Sequence, residues 1–195
     1  MKLKIYASIS ALILGITLYS CQQQGPKTEE ATQTAGSALQ APYSQVWYDS
    51  LNQVMNTYYH LSAALVKADT ATATVVGLAL KQHIDRLPYA QLQMDSAHLG
   101  NISGIGGSIS AELVGLQGET GIEGKRESFQ MVSDMLFDLV KATGFKGHAV
   151  YRQFCPMAFD DKGAYWLSET RKITNPYFGE KMLDCGSTND SLIYK

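Results

Sequence analysis

The sequence predicts an α+β chain in which a four-helix antiparallel bundle is followed by a small, turn-rich β unit. Three observations carry that expectation. Between Trp47 and Leu139 apolar side chains recur in four runs at steps of three and four, the period of one helix face. After Gly144 this period gives way to short aromatic-rich runs bounded by turn residues, the pattern of strands. At 195 residues, 45% hydrophobic and 17% charged, the chain can bury one core of ordinary size and is hardly long enough for two. The formal charge is −2 with no clustered Lys and Arg, which argues against nucleic acid as a partner.

Residues 1–20 read as a lipoprotein signal peptide. Lys2 and Lys4 form a basic n-region, and Ile5 to Leu18 form an uncharged, mostly apolar run. Fourteen residues are too few to span a bilayer permanently but suit a secretory h-region. The run ends in Leu18-Tyr19-Ser20-Cys21, which resembles a bacterial lipobox, so Cys21 would become the lipidated first residue of the mature protein. A plain signal peptide that contains a cysteine is the alternative. Cysteine parity favours lipidation: three cysteines are odd for an exported protein, and a lipidated Cys21 leaves Cys155 and Cys185 as a pair. Residues 21–42 are rich in Gln, Thr, Ala, Gly and Glu without an apolar period, and cannot bury enough surface to offset their ordering entropy. They are expected to form a flexible tether reaching roughly 25 Å from the lipid. The expected location is therefore the cell envelope, periplasmic or surface-facing, with the membrane as a partner through the N-terminal lipid.

A single domain is expected over 43–195, with the bundle over 43–143. Trp47, Leu51, Val54, Tyr58, Leu61 and Leu65 mark the first helix. Asp69 is a good N-cap for a second helix through Val76, Leu80, Ile84 and Leu87, which Pro88 stops. Ile102, Ile105, Ile109, Leu113 and Leu116 give a third stripe, and Phe129, Val132, Leu136 and Leu139 a fourth. Eight glycines between Gly100 and Gly124 weaken the third helix, each interior one costing about 0.5–1 kcal/mol against Ala. They predict a frayed helix and a mobile connection, with a close helix crossing as the alternative. No phosphate-binding glycine loop is present, and four glycine triplets without proline cannot hold a collagen helix. His60, His83 and His98 lie on or beside these helices, where a lone histidine is more often a surface residue than a ligand. No Ser, His and Asp grouping suggests hydrolysis, and the chain reads as a non-enzyme.

The β unit is expected over 145–195. His148 to Phe154 reads as a strand, Asp160-Asp161-Lys162-Gly163 as a turn, and Ala164 to Leu167 as the returning strand. Asn175-Pro176 opens another turn that Gly179 closes.

Within this unit Cys155 and Met157 on one segment, and Met182 and Cys185 on another, supply two sulfurs each. Thiolate and thioether together suit Cu(I) or Ag(I), and suit Mg²⁺ or Ca²⁺ poorly. Zinc would want four Cys or His ligands, and no CxxC repeat exists. His148 could add an imidazole. The alternative is a structural disulfide between Cys155 and Cys185, with both methionines filling the core. Closing that 30-residue separation would stabilise by about 3 kcal/mol on the chain-entropy account. A thiol oxidoreductase is disfavoured, because a catalytic pair at that spacing is unusual.

The segment Tyr151-Arg-Gln-Phe-Cys-Pro-Met-Ala-Phe-Asp-Asp-Lys-Gly-Ala-Tyr-Trp-Leu-Ser168, followed by Ile173-Thr-Asn-Pro-Tyr-Phe-Gly-Glu-Lys-Met-Leu-Asp-Cys-Gly186, resembles the signature of domain-of-unknown-function family 3347. The resemblance extends over roughly residues 46–190. Members are exported proteins or lipoproteins of Bacteroidetes-type bacteria, and the domain also occurs fused to periplasmic adaptor subunits of copper/silver-type heavy-metal efflux pumps. The resemblance implies periplasmic metal handling with such an adaptor as a partner. It places Cys155, Met157, Met182 and Cys185 at the family's sulfur positions, Arg126 and Phe129 at its "R..F" pair, and His98 where many members carry a histidine, which makes His98, with His148, an optional further metal ligand. The chain departs from the family in its glycine-rich third helix, which in members is usually regular and contains a Trp. Two functional expectations result: a soft-metal module, or a disulfide-stapled structural or interaction module of the envelope whose aromatic side chains pack on the bundle or meet a protein partner.

Overall fold

The computed structural model describes residues 41–194. The leader expected over 1–20, the lipidated Cys21 and the tether up to residue 40 lie outside the described residues. Four helices come first: α1 (Gln45–Val66), α2 (Thr70–Asp85), α3 (Ser96–Gly118) and α4 (Ile122–Thr143). Each packs on the next in an up-and-down antiparallel bundle, while the α1 and α4 backbones lie farther apart and meet through long side chains, Tyr58 of α1 reaching Phe129 and Ser133 of α4. The starts of α1, α2 and α3 follow from side-chain caps. Ser44 accepts the Trp47 N–H, Asp69 the Thr72 N–H, and Asp95 the N–H groups of Ala97 and His98. The expected α1 face is buried throughout, as are Leu80, Ile84 and Leu87, and Phe129, Val132, Leu136 and Leu139.

The third helix corrects an expectation. It is continuous over 23 residues, and residues 119–121 alone join it to α4, so neither fraying nor a long mobile connection is found. Tertiary burial outweighs propensity here. Five interior glycines cost about 2.5–5 kcal/mol, whereas burying Ile102, Ile109, Leu113 and Leu116 contributes about 6–12 kcal/mol. Lys125, 1% exposed, adds a cap by donating from Nζ to the Leu116 carbonyl at 2.8 Å. One glycine is required for a close approach. A Cβ on Gly106 would lie 1.8 Å from the Tyr89 hydroxyl, whose ring packs on Trp47.

The β unit is a three-stranded antiparallel sheet in the order β2-β1-β3, with β1 Val150–Cys155, β2 Ala164–Ser168 and β3 Ser187–Leu192. The hairpin expected between the first two strands is present, with Cys155 opposite Ala164. Its turn holds Phe159, Asp160 and Asp161 at φ of 54°, 56° and 63°, left-handed conformations costing about 1–2 kcal/mol each in non-glycine residues. The third strand was not anticipated. Its ladder to β1 carries a register shift at Arg152/Gln153.

Two tyrosines occupy the outer edge of β2. The Leu167 N–H donates to the Tyr58 hydroxyl at 3.0 Å, and the Tyr177 hydroxyl donates to the Tyr165 carbonyl. The first bond joins the sheet to α1 and the second ties it to the loop that follows β2, and together they leave less free edge for unwanted pairing. Arg126, 6% exposed, is the second joint. Its Nε donates to the Pro176 carbonyl (2.8 Å), Nη2 to the Leu65 carbonyl (3.1 Å) and Nη1 to Glu123 (2.9 Å). Phe129, one turn on, stacks on Tyr58 with ring centroids 5.0 Å apart and meets Tyr177 at 6.1 Å.

Candidate sulfur site

The β1–β3 ladder ends by pairing Phe154 with Ser187, which sets Cys155 beside the turn that carries Cys185. Cys155, the last residue of β1, is fully buried, whereas Cys185 is half-buried. Both are free thiols, and their Sγ atoms lie 3.2 Å apart. That is longer than the roughly 2.0 Å of a disulfide bond. One thiol can donate to the other, and this contact, followed by burial, raises the pKa of Cys185 above its ordinary value.

Cys185 is held from three directions. Its N–H donates to the Met182 carbonyl (3.1 Å), and its own carbonyl accepts from Asn175 Nδ2 (2.8 Å). Gly186 follows at φ 141°, where a Cβ would come within 2.8 Å of the Phe154 carbonyl oxygen, so a side chain here would push β3 off β1. Asn175 is itself 0% exposed. Its Oδ1 accepts the Tyr177 N–H (2.8 Å) and the Phe178 N–H (3.2 Å), and its N–H donates to the Leu183 carbonyl (2.8 Å). The Asn-Pro turn is thus a fully bonded clamp on the cysteine-bearing loop. Sequence reasoning registered it only as a turn signal.

The other expected site residues are placed as follows. Met157 lies just beyond β1 and is 45% exposed, and Met182 ends the 3-10 turn Gly179–Met182 and is half-buried. His148 is exposed in the bend before β1. His98 is exposed in the first turn of α3, where Asp95 binds both its ring and its backbone N–H. Those bonds hold the Asp95 carboxyl below its usual pKa, the backbone contribution being the larger. Among the described residues no group of three or more His, Cys, Asp or Glu side chains converges, so neither histidine joins the cysteine pair.

The aromatic side chains of the unit belong to its packing. Trp166 and Tyr177 are buried, and Tyr151, Phe154, Phe159, Tyr165 and Phe178 are half-buried. Arg152 lies between the rings of Phe137 (4.5 Å) and Tyr165 (3.9 Å) and pairs with Asp134 at 2.8 Å. Among the described residues one cleft lies beside Pro42–Ser44 and Gln91–Gln93 and another between α1 and the end of β2, and neither of these is lined by a cysteine. Among the described residues no helix is long and apolar enough to cross a membrane.

Residues 54–147 match the model of a family described as "Protein of unknown function (DUF3347)", the same family that the cysteine-bearing motif resembles. The match runs from the middle of α1 through α4 and ends ahead of β1, so the cysteine-bearing motif lies C-terminal to it. Comparison with curated proteins and with solved structures finds no match.

Proposed function

Starting from a chain that carries a DUF3347 domain over residues 54–147, we propose that it is an exported, lipid-anchored module that binds a soft monovalent ion, Cu(I) or Ag(I), without catalytic turnover. The observation that carries this reading is the 3.2 Å approach of two free thiols from separate segments. Two thiolates so close can serve one ion, and the thioethers of Met157 and Met182, each within three residues of a cysteine, are donors of matching softness. The ladder and the Asn175 clamp hold the cysteines together before any ion arrives, which lowers the ordering cost of binding. Cys21 supplies the membrane anchor, and a periplasmic adaptor subunit of a metal efflux pump is the proposed recipient of the ion.

Titrating the reduced protein with Cu(I) against a competing chelator tests the reading. Tight one-to-one binding is expected, abolished in Cys155→Ser and Cys185→Ser and weakened in Met157→Leu and Met182→Leu. Binding no stronger than that of the double Cys→Ser variant would overturn it. A protein isolated with a closed Cys155–Cys185 bond that also ignores copper after reduction would be a stapled structural module.

A further inference from the structure

The two thiols differ in access. Cys155 is 0% exposed at the end of a paired strand, whereas Cys185 is half-buried in a turn. From this asymmetry and the 3.2 Å contact we infer that the pair is a one-sided redox gate, in which Cys185 meets a small-molecule disulfide first and Cys155 then closes the intramolecular bond. The inference rests on the soft-ion reading for its consequence alone, namely that closure withdraws both thiolates from the metal.

The chemistry is thiol–disulfide exchange in two displacements. The Cys185 thiolate attacks one sulfur of a disulfide such as oxidised glutathione, forming a mixed disulfide and releasing one glutathione thiolate. Cys155, deprotonating as it attacks, then displaces the second glutathione from the Cys185 sulfur. Two protein thiols are oxidised, one glutathione disulfide is reduced to two thiols, and the two protons lost by the protein end on the glutathione released. The second step is local. Contracting the 3.2 Å separation to about 2.0 Å requires about 1.2 Å of movement. The half-exposed turn can supply that movement while the β1–β2 pairing at Cys155↔Ala164 stays intact.

The full-length reduced protein would be exposed to oxidised glutathione, quenched with acid at intervals and mapped by peptide mass. In the wild type the first adduct is expected on Cys185, followed by a linkage between the Cys155 and Cys185 peptides. Cys155→Ser should accumulate the Cys185 adduct. In Cys185→Ser, Cys155 should react at least about tenfold more slowly, since its full burial keeps a bulky disulfide from its sulfur. Comparable rates in the two variants, or a first adduct on Cys155 in the wild type, would overturn the order; the wild-type time course needs no variant to fold. Ag(I) binding measured on reduced and closed protein separates the claims. Binding that survives closure overturns the gate, and no binding by the reduced form overturns the soft-ion reading while the exchange order is still read from the adducts.

Discussion

Removing the Asn175 side chain should loosen the whole cysteine-bearing loop. Asn175→Ala deletes three hydrogen bonds: the donor to the Cys185 carbonyl at 2.8 Å, and the acceptor for the Tyr177 and Phe178 N–H groups at 2.8 and 3.2 Å. At about 1 kcal/mol each these amount to about 3 kcal/mol, and stranding the buried Tyr177 N–H adds about 1 kcal/mol more. For a chain of this size that corresponds to a fall in Tm of roughly 10 °C. Urea unfolding followed by far-UV circular dichroism and by tryptophan fluorescence would measure it, with Trp166 reporting on the sheet. A second readout follows from geometry. With its carbonyl released, Cys185 should no longer be held against Cys155, so closure of the pair by oxidised glutathione should slow and the mixed disulfide should persist. A loss below about 1 kcal/mol with unchanged closure would refute the claim that Asn175 positions the site.

Three further outcomes test the fold. Burial pushes the pKa values of Tyr58, Tyr59 and Tyr177 above their ordinary value near 10, and that of Tyr194 to about 12. The unfolded chain therefore loses these protons first, so their stabilisation is complete below pH 10 and is lost as pH rises, at roughly 4 kcal/mol per unit for the first three together. Urea midpoints that stay flat to about pH 11 would contradict this. Gly106→Ala should destabilise by about 1–3 kcal/mol, because its methyl meets the Tyr89 hydroxyl, whereas Gly104→Ala, facing open space, should stabilise by about 0.5–1 kcal/mol. Equal melting temperatures for the two would be inconsistent with that packing. Asp161→Gly should relieve a left-handed residue and raise stability by about 1 kcal/mol, read as a higher urea midpoint.

What could be read from the sequence follows what each element depends on. The α1 and α4 faces were legible because a buried stripe at helical spacing is a property of the segment itself. The same method undervalued α3, where glycine propensity is also local but the burial of Ile102, Ile109, Leu113 and Leu116 against neighbouring helices is not. Strand β3 left no trace, since Ser-Thr-Asn-Asp-Ser-Leu is polar and becomes a strand by pairing its backbone with β1. Cysteine parity pointed to Cys155 and Cys185, but their 3.2 Å approach depends on that unseen ladder and on Asn175. Arg126 was visible as part of a motif. Its role in bonding the carbonyls of Leu65 and Pro176 required the tertiary structure.

The most direct test of the central claim is copper K-edge X-ray absorption on the reduced protein loaded with Cu(I) and freed of excess metal. The proposed site predicts one retained copper whose innermost ligands are all sulfur, with the signal lost in Cys155→Ser. Copper washed away during gel filtration, or copper held by nitrogen and oxygen and unaffected by the cysteine substitution, would contradict it.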